Sequence, residues 1–307
     1  MTDTLRYATQ NFGPMKASNL RLVPANYAFP ATGYALPQTI FVAEDVGYHV
    51  DLEYEYGFDH LYRRTAHETA HQWWGHGLNG AATEGEGVLI ESLAKYTEAM
   101  LLGAKYGDQY VRKLIEFEHG RYLFGRNRSL HQELPLYRAD EPYLIYSKGA
   151  AALYAITQML GEKHVNTALT NLVSAHRYPA VPATTLDLIS YLLADTNPQQ
   201  AKFIKQWFFD INVHDVAISE VGVTQQSDHY LVTVCLVSTQ DEVNRVEIQF
   251  TDVSGRVTDE FVMAFEPAEA QTQCAQRRVK AYPTYVEVDP RLLILDSDRS
   301  NNHYTVL

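Results

Sequence analysis

The sequence predicts an α+β protein: a small amino-terminal β region, a mostly helical domain, and then a carboxy-terminal β-sandwich. Three observations carry that prediction. The opening stretch is rich in Pro, Gly and Tyr between short apolar runs. From there to Asn212 apolar residues recur at helical spacing, and after Asn212 they alternate, the signature of strands with one buried face.

Each element follows from local signals. Residues 1–55 read as short strands and turns. Arg63 to Trp74 holds no Pro or Gly and reads as one helix, ended by Gly75 and Gly77. A Gly/Ala-rich connection, Gly80 to Gly87, lets the next helix, Val88–Leu102, fold back on it. Further helices are expected at Gln109–Phe124, Tyr143–Leu160, Glu162–His176, Leu186–Leu193 and Gln199–Asp210. Their breaks fall at Gly125, Gly161, Pro179-Ala180-Val181-Pro182 and Pro198. Strands are expected at Ala217–Val223, Tyr230–Ser238, Glu242–Thr251, Val257–Ala264, Arg278–Tyr282 and Thr284–Val288. Six short runs separated by polar turns suggest a sandwich, which sets domains at 1–212 and 213–307.

Composition sets the outer limits. A chain of 307 residues, 46% hydrophobic and 20% charged, can bury two cores. No apolar run approaches the ~20 residues of a membrane span. A formal charge of −12 argues against a nucleic-acid partner and is compatible with neutral or cationic peptides. Met1-Thr2-Asp3-Thr4 has neither a basic nor an apolar leader region, so the chain reads as cytoplasmic or as a piece of a longer protein. Cys235 and Cys274 offer no metal spacing and allow at most one disulfide; Cys235 lies in an alternating apolar run and reads rather as a core thiol. Nothing in the sequence specifies an oligomeric state.

The chemistry concentrates in His67-Glu68-Thr69-Ala70-His71. Residues four apart on a helix lie one above the other, so His67 and His71 can present ring nitrogens to one ion. Glu91, in the first turn of the following helix, supplies a third ligand, and Glu68 stays free beside the site. Two imidazoles and a carboxylate suit one zinc ion, and a fourth position open to water beside a free carboxylate is the equipment for hydrolysing an amide. Glu98 is two helical turns on from Glu91. It reads either as a carboxylate holding the far nitrogen of a ligand histidine or as a solvated surface charge.

These residues resemble a known family. His67-Glu68-x-x-His71-Gln72-Trp73-Trp74-Gly75, followed by Glu91, looks like the zinc aminopeptidases of peptidase family M1. Downstream, Tyr146-Ser147-Lys148-Gly149 resembles that family's Tyr-x-Lys-Gly helix start, which implies that Tyr146 steadies the oxyanion. Phe12-Gly13-Pro14 with Leu20–Pro24 resembles the opening of the family's catalytic domain. Thr39–Glu44 resembles its edge strand beside the substrate, which makes Thr39, Ile40 and Glu44 candidate peptide-binding positions. The resemblance implies a thermolysin-like catalytic domain and a peptide substrate. His76 and the Glu91–Tyr96 stretch look most like a bacterial subset that occurs as the peptidase-like part of larger membrane proteins carrying a transporter permease.

Three departures qualify the expectation. Nineteen residues separate His71 from Glu91, one more than usual in the family, and the surplus is assigned to the Gly80–Gly87 loop. The Gly-Ala-Met-Glu-Asn motif, whose glutamate holds a substrate's terminal amine, is replaced by Thr32-Gly33-Tyr34-Ala35-Leu36. The family's β-rich amino-terminal domain is missing. The alternatives are therefore a zinc-containing binding or regulatory domain of a larger membrane protein, or an endopeptidase. Glu84 and Glu86 are an alternative amine site or a solvated loop. Arg121, Arg126 and Arg128 are a carboxylate site or a solvated helix end. His76, five residues past His71, lies off its helical face.

Overall fold

A computed structural model describes residues 1–26, 28–47, 51, 57–211, 213–238, 245–264 and 272–306. It has the α+β class expected, in two compact units, Met1–Ile211 and Asn212–Leu307. No helix among the described residues is long and apolar enough to cross a membrane.

The first unit opens with a helix where turns were expected, α1 (Thr2–Phe12). Its 11 residues are mostly polar and lack a side-chain cap, so local propensity is weak; the helix forms because Thr4, Ala8 and Phe12, four apart, bury one face. Three strands follow: β1 (Arg21–Ala25), β2 (Gly33–Leu36) and β3 (Thr39–Ala43), in the order β1-β3-β2, with β1 parallel and β2 antiparallel to β3. The expected edge strand, β3, is thus the middle one. A short helix, α2 (Glu44–Gly47), ends this region.

Helix α3 (His60–Ala70) starts where the Asp59 side chain accepts from the Tyr62 amide at 2.9 Å. It ends four residues before Trp74, and the chain turns through Gly75, whose φ of 105° favours glycine. Both indoles are buried: Trp73 Nε1 donates to Gly13 O at 2.8 Å and Trp74 Nε1 to Thr97 Oγ1 at 2.9 Å. The expected helix at Val88 begins with a wide π turn, π1 (Val88–Ser92), and continues as α4 (Leu93–Tyr106). The helix expected from Tyr143 likewise opens with π2 (Tyr143–Lys148) before α6 (Gly149–Leu160). Between them α5 (Asp108–Arg128) runs straight through Gly125, the expected break. Within that helix Gly125 leaves room for Tyr143, whose side chain occupies the space a Cβ would need. Helices α7 (Glu162–His176), α8 (Thr185–Leu193) and α9 (Pro198–Phe209) complete the unit, the last two started by capping boxes at Thr184/Asp187 and Asn197/Gln200.

The second unit has two antiparallel sheets, β4-β5-β8 and β10-β9-β6-β7. The strands are β4 (Val216–Gln225), β5 (Tyr230–Ser238), β6 (Arg245–Thr251), β7 (Val257–Ala264), β8 (Gln273–Val279), β9 (Tyr285–Val288) and β10 (His303–Thr305). Val232, Val234 and Leu236 of β5 share a core with Val246, Ile248 and Phe250 of β6 and with Val286 and Val288 of β9. Strand β8 lies earlier than expected, β10 was not foreseen, and Glu242–Asn244 of an expected strand fall outside the described residues. Cys235 is not a free core thiol: it faces Cys274 directly across β5 and β8 and forms a disulfide. The buried Asp296 carboxylate accepts from the Val216 and Asp298 amides and from Asn302 Nδ2.

Candidate metal centre

Helix α3 and π1 build the site. His67 Nε2 and His71 Nε2 lie 3.2 and 3.5 Å from Glu91 Oε2, and one donor atom from each of the three residues falls within 4.8 Å of the others. The imidazoles stand nearly perpendicular, 89° apart, with centroids separated by 4.8 Å. Each far nitrogen also faces an oxygen atom. His67 Nδ1 faces Glu98 Oε2 at 3.4 Å, and His71 Nδ1 lies 3.0 Å from Trp74 O. Both Nε2 atoms are thereby turned inward, as metal-bound imidazoles require. The Trp74 carbonyl escaped sequence reading because a backbone acceptor leaves no signature in residue identity.

The donor set of two imidazoles and a carboxylate fits zinc. Burial opposes ionisation of Glu91, but hydrogen bonding to His67 and His71 outweighs it and holds the carboxyl well below its usual range. For Glu68 burial wins and raises the carboxyl, although His67, His71 and Arg64 oppose the rise. Tyr146 lies on π2, half-buried, its ring stacked 6.1 Å from that of His67. Burial, then Glu91 and Glu68, push its phenol upward, so it is a proton donor at neutral pH.

Glu98 is fully buried in a charged network rather than solvated. Arg63 Nε lies 2.5 Å from Glu98 Oε1, and Lys95 Nζ bridges Glu98 Oε2 at 3.0 Å and Glu118 Oε1 at 2.8 Å. Two buried cations thus balance two buried carboxylates, and Glu98 is held well below its usual range despite its burial. Sequence reasoning missed Arg63, Lys95 and Glu118. The available signal was Lys95 one turn before Glu98; Glu118, on another helix, had none.

The Tyr-Ser-Lys-Gly segment ties this framework together. Ser147 Oγ donates to Glu118 Oε2 at 2.8 Å, and buried Lys148 pairs with Glu133 at 2.8 Å. Ser92 Oγ of π1 donates to Ile145 O of π2 at 2.6 Å, and a side chain on Gly149 would collide with that same hydroxyl. The turn bearing Glu91 and the turn bearing Tyr146 are therefore clasped directly.

The strand beside Glu68 is β2, not β3. A Cβ added to Gly33 would overlap the Glu68 carboxylate and come within 2.8 Å of Arg64 Cδ. Gln72 pins the end of β2, donating from Nε2 to Leu36 O at 3.0 Å and accepting from the Gln38 amide at 2.9 Å. His76 takes no place among the metal-facing groups; its Nε2 lies 3.3 Å from Ala35 O. The expected peptide-binding positions are corrected accordingly. Thr39 and Ile40 pair with β1 on one side and β2 on the other, Ile40 is buried, and Glu44 is exposed where α2 begins. An apolar strand flanked on both edges has no backbone free for a peptide. Glu84 is engaged by Arg138 at 2.7 Å; Arg121 and Arg126 pair with Glu118 and Glu133 at 3.3 and 2.8 Å.

A mostly helical domain with an H-E-x-x-H helix, a glutamate on the next helix and a facing tyrosine defines the metallopeptidase class. Residues 58–207 match the model of the peptidase family M1 domain. The M1 zinc metallopeptidase of Deinococcus radiodurans superposes with a TM-score of 0.53 at 18% identity, covering 69% of this chain and 44% of that one. A complex of that enzyme with the substrate Tyr-Ser-Ala gives 0.51 at 19%, with the same coverage. Yeast LTA4 hydrolase gives 0.53 at 15%, covering 68% of this chain and 34% of that one. At such identities the likeness establishes the fold, and this chain spans less than half of either protein. No curated protein matches the sequence.

Proposed function

We propose that this chain is a zinc-dependent peptidase, with the helical unit (1–212) as catalytic domain and the sandwich (213–307) as a second domain. The carrying observation is that His67, His71 and Glu91 converge with Glu68 and Tyr146 beside them. Held by those three residues, one zinc ion would polarise the scissile carbonyl and lower the pKa of a water to about 7. Glu68 takes the proton of the attacking water and delivers it to the leaving amine. Its buried carboxyl, raised above the ordinary range, suits a group that must both accept and return a proton. Tyr146 donates its phenolic proton in a hydrogen bond to the developing oxyanion. Glu98 and the Trp74 carbonyl keep both imidazoles oriented.

The finer reading, an aminopeptidase, requires a carboxylate to hold the substrate ammonium. Strand β2 carries none, and Glu84 is already paired with Arg138. Hydrolysis that does not depend on a free amino terminus fits these residues better.

The test is zinc stoichiometry together with hydrolysis of matched free and amino-blocked peptides, using Glu68→Gln as control. One zinc per chain is expected in both proteins, with turnover in the wild type alone. Wild-type rates in Glu68→Gln would overturn the assignment. Zinc without turnover in either protein would instead favour a binding or regulatory domain of a larger assembly.

A further inference from the structure

The two adjacent arginines of α3 have opposite fates. Arg63 is buried and paired with Glu98 and Glu118. Arg64, half-buried, forms no ion pair with any described residue, although buried or partly buried cations are ordinarily paired. Its position is specific. It lies one helical turn before Glu68, and both side chains pack against Gly33 of β2, the strand that borders the site. Its charge acts on both Glu68 and Tyr146. An unpaired cation therefore borders both Glu68 and strand β2, and β2 itself carries no carboxylate for a substrate ammonium.

We propose that Arg64 is a specificity-determining residue that binds a carboxylate of the peptide substrate, so that the site selects an acidic group near the scissile bond and rejects a terminal ammonium there. This rests on the peptidase reading above. The planar fork of a guanidinium matches a carboxylate bidentately, and its positive charge opposes an ammonium at the same place. The carboxylate belongs either to an Asp or Glu side chain or to the peptide's own carboxy terminus. Both present the same oxygen pair to Arg64.

The test uses zinc-loaded, full-length Glu68→Gln protein, so that peptides bind without being cut, and fluorescence anisotropy of acetylated, carboxy-amidated peptides differing only as Asp, Asn or Lys beside the central bond. The Asp peptide should bind about tenfold more tightly than the Asn peptide, the scale of one partly exposed charge-assisted pair. Adding Arg64→Gln should remove the difference, Arg64→Lys should keep its sign, and Arg64→Glu should shift the preference to Lys and to free-amino peptides. A parallel pair with a neutral sequence, free or amidated at the carboxy terminus, separates the two carboxylate sources. Unchanged melting temperature in Arg64→Gln excludes a folding defect. Equal binding of Asp and Asn peptides, or a preference that survives Arg64→Gln, overturns the proposal. The same peptides given to the wild type separate the two ideas. Glu68-dependent hydrolysis without acidic preference defeats only the role of Arg64; absence of hydrolysis defeats the peptidase reading, while the binding series still decides Arg64.

Discussion

Tyr146 is one of 21 tyrosines, and its neighbours set it apart. Its ring stacks on His67, and burial, reinforced by Glu91 and Glu68, keeps its proton in place. Tyr146→Phe should therefore lower kcat about 10²–10³-fold with little change in KM, because the lost donor acts in the transition state. A rise in KM with kcat unchanged would assign the side chain to substrate binding instead. At this scale the candidate site was legible where its residues lie within one or two helical turns, His67, Glu68 and His71 by spacing, whereas the seven-residue offset of Glu98 from Glu91 left a histidine partner and a solvated charge equally open. Tyr146 was legible only through the Tyr-x-Lys-Gly resemblance. The charges that support Glu98 were not, since Glu118 approaches from a different helix and a buried ion looks like a surface ion until its neighbours are known.

The wide turns π1 and π2 are elements in their own right. Each departs from regular helix where it carries a reactive side chain, Glu91 or Tyr146, and π turns often mark functional positions. They meet at Ser92, Ile145 and Gly149 with no room for another methyl group. Gly149→Ala should destabilise the protein by about 1–3 kcal/mol in denaturant melting, the cost of overpacking a tight contact. It should also reduce turnover at undiminished zinc content, because the turn bearing Tyr146 must shift. Full stability in Gly149→Ala would show that the contact is looser than described. The sequence could place helices here but not widen their first turns, since helical periodicity is the same to either side. The middle position of β3 had no comparable signal: Thr39-Ile40-Phe41-Val42-Ala43 is almost continuously apolar, which marks burial of a strand's faces and leaves the pairing of its edges open.

For the whole molecule, the change of period near residue 212 was visible because burial on helices and on half-exposed strands follows different repeats. Strand register was not visible, and with it the pairing of Cys235 with Cys274. That disulfide closes a sequence separation of 39 within the sandwich. Replacing both cysteines by serine should cost about 2–4 kcal/mol of sandwich stability. In calorimetry the sandwich transition should fall while that of the helical unit stays. Two titratable thiols in the denatured, unreduced protein would contradict the bridge. Disulfides persist in oxidising surroundings, so the bridge also bears on where the chain folds.

The turn that follows α3 reaches further than its hydrogen bonds. The residue immediately after His71 is Gln72, which grips both Leu36 and Gln38 at the tip of β2. For the proposed reaction, the ruler and the blade are a single piece. A peptide laid along β2 would be measured against the same helical segment that carries the metal-facing imidazoles and Glu68. Adjusting the grip for a new substrate would then also displace the reacting groups, so changes in selectivity are more readily made at single side chains beside β2, such as Arg64, than by moving the strand.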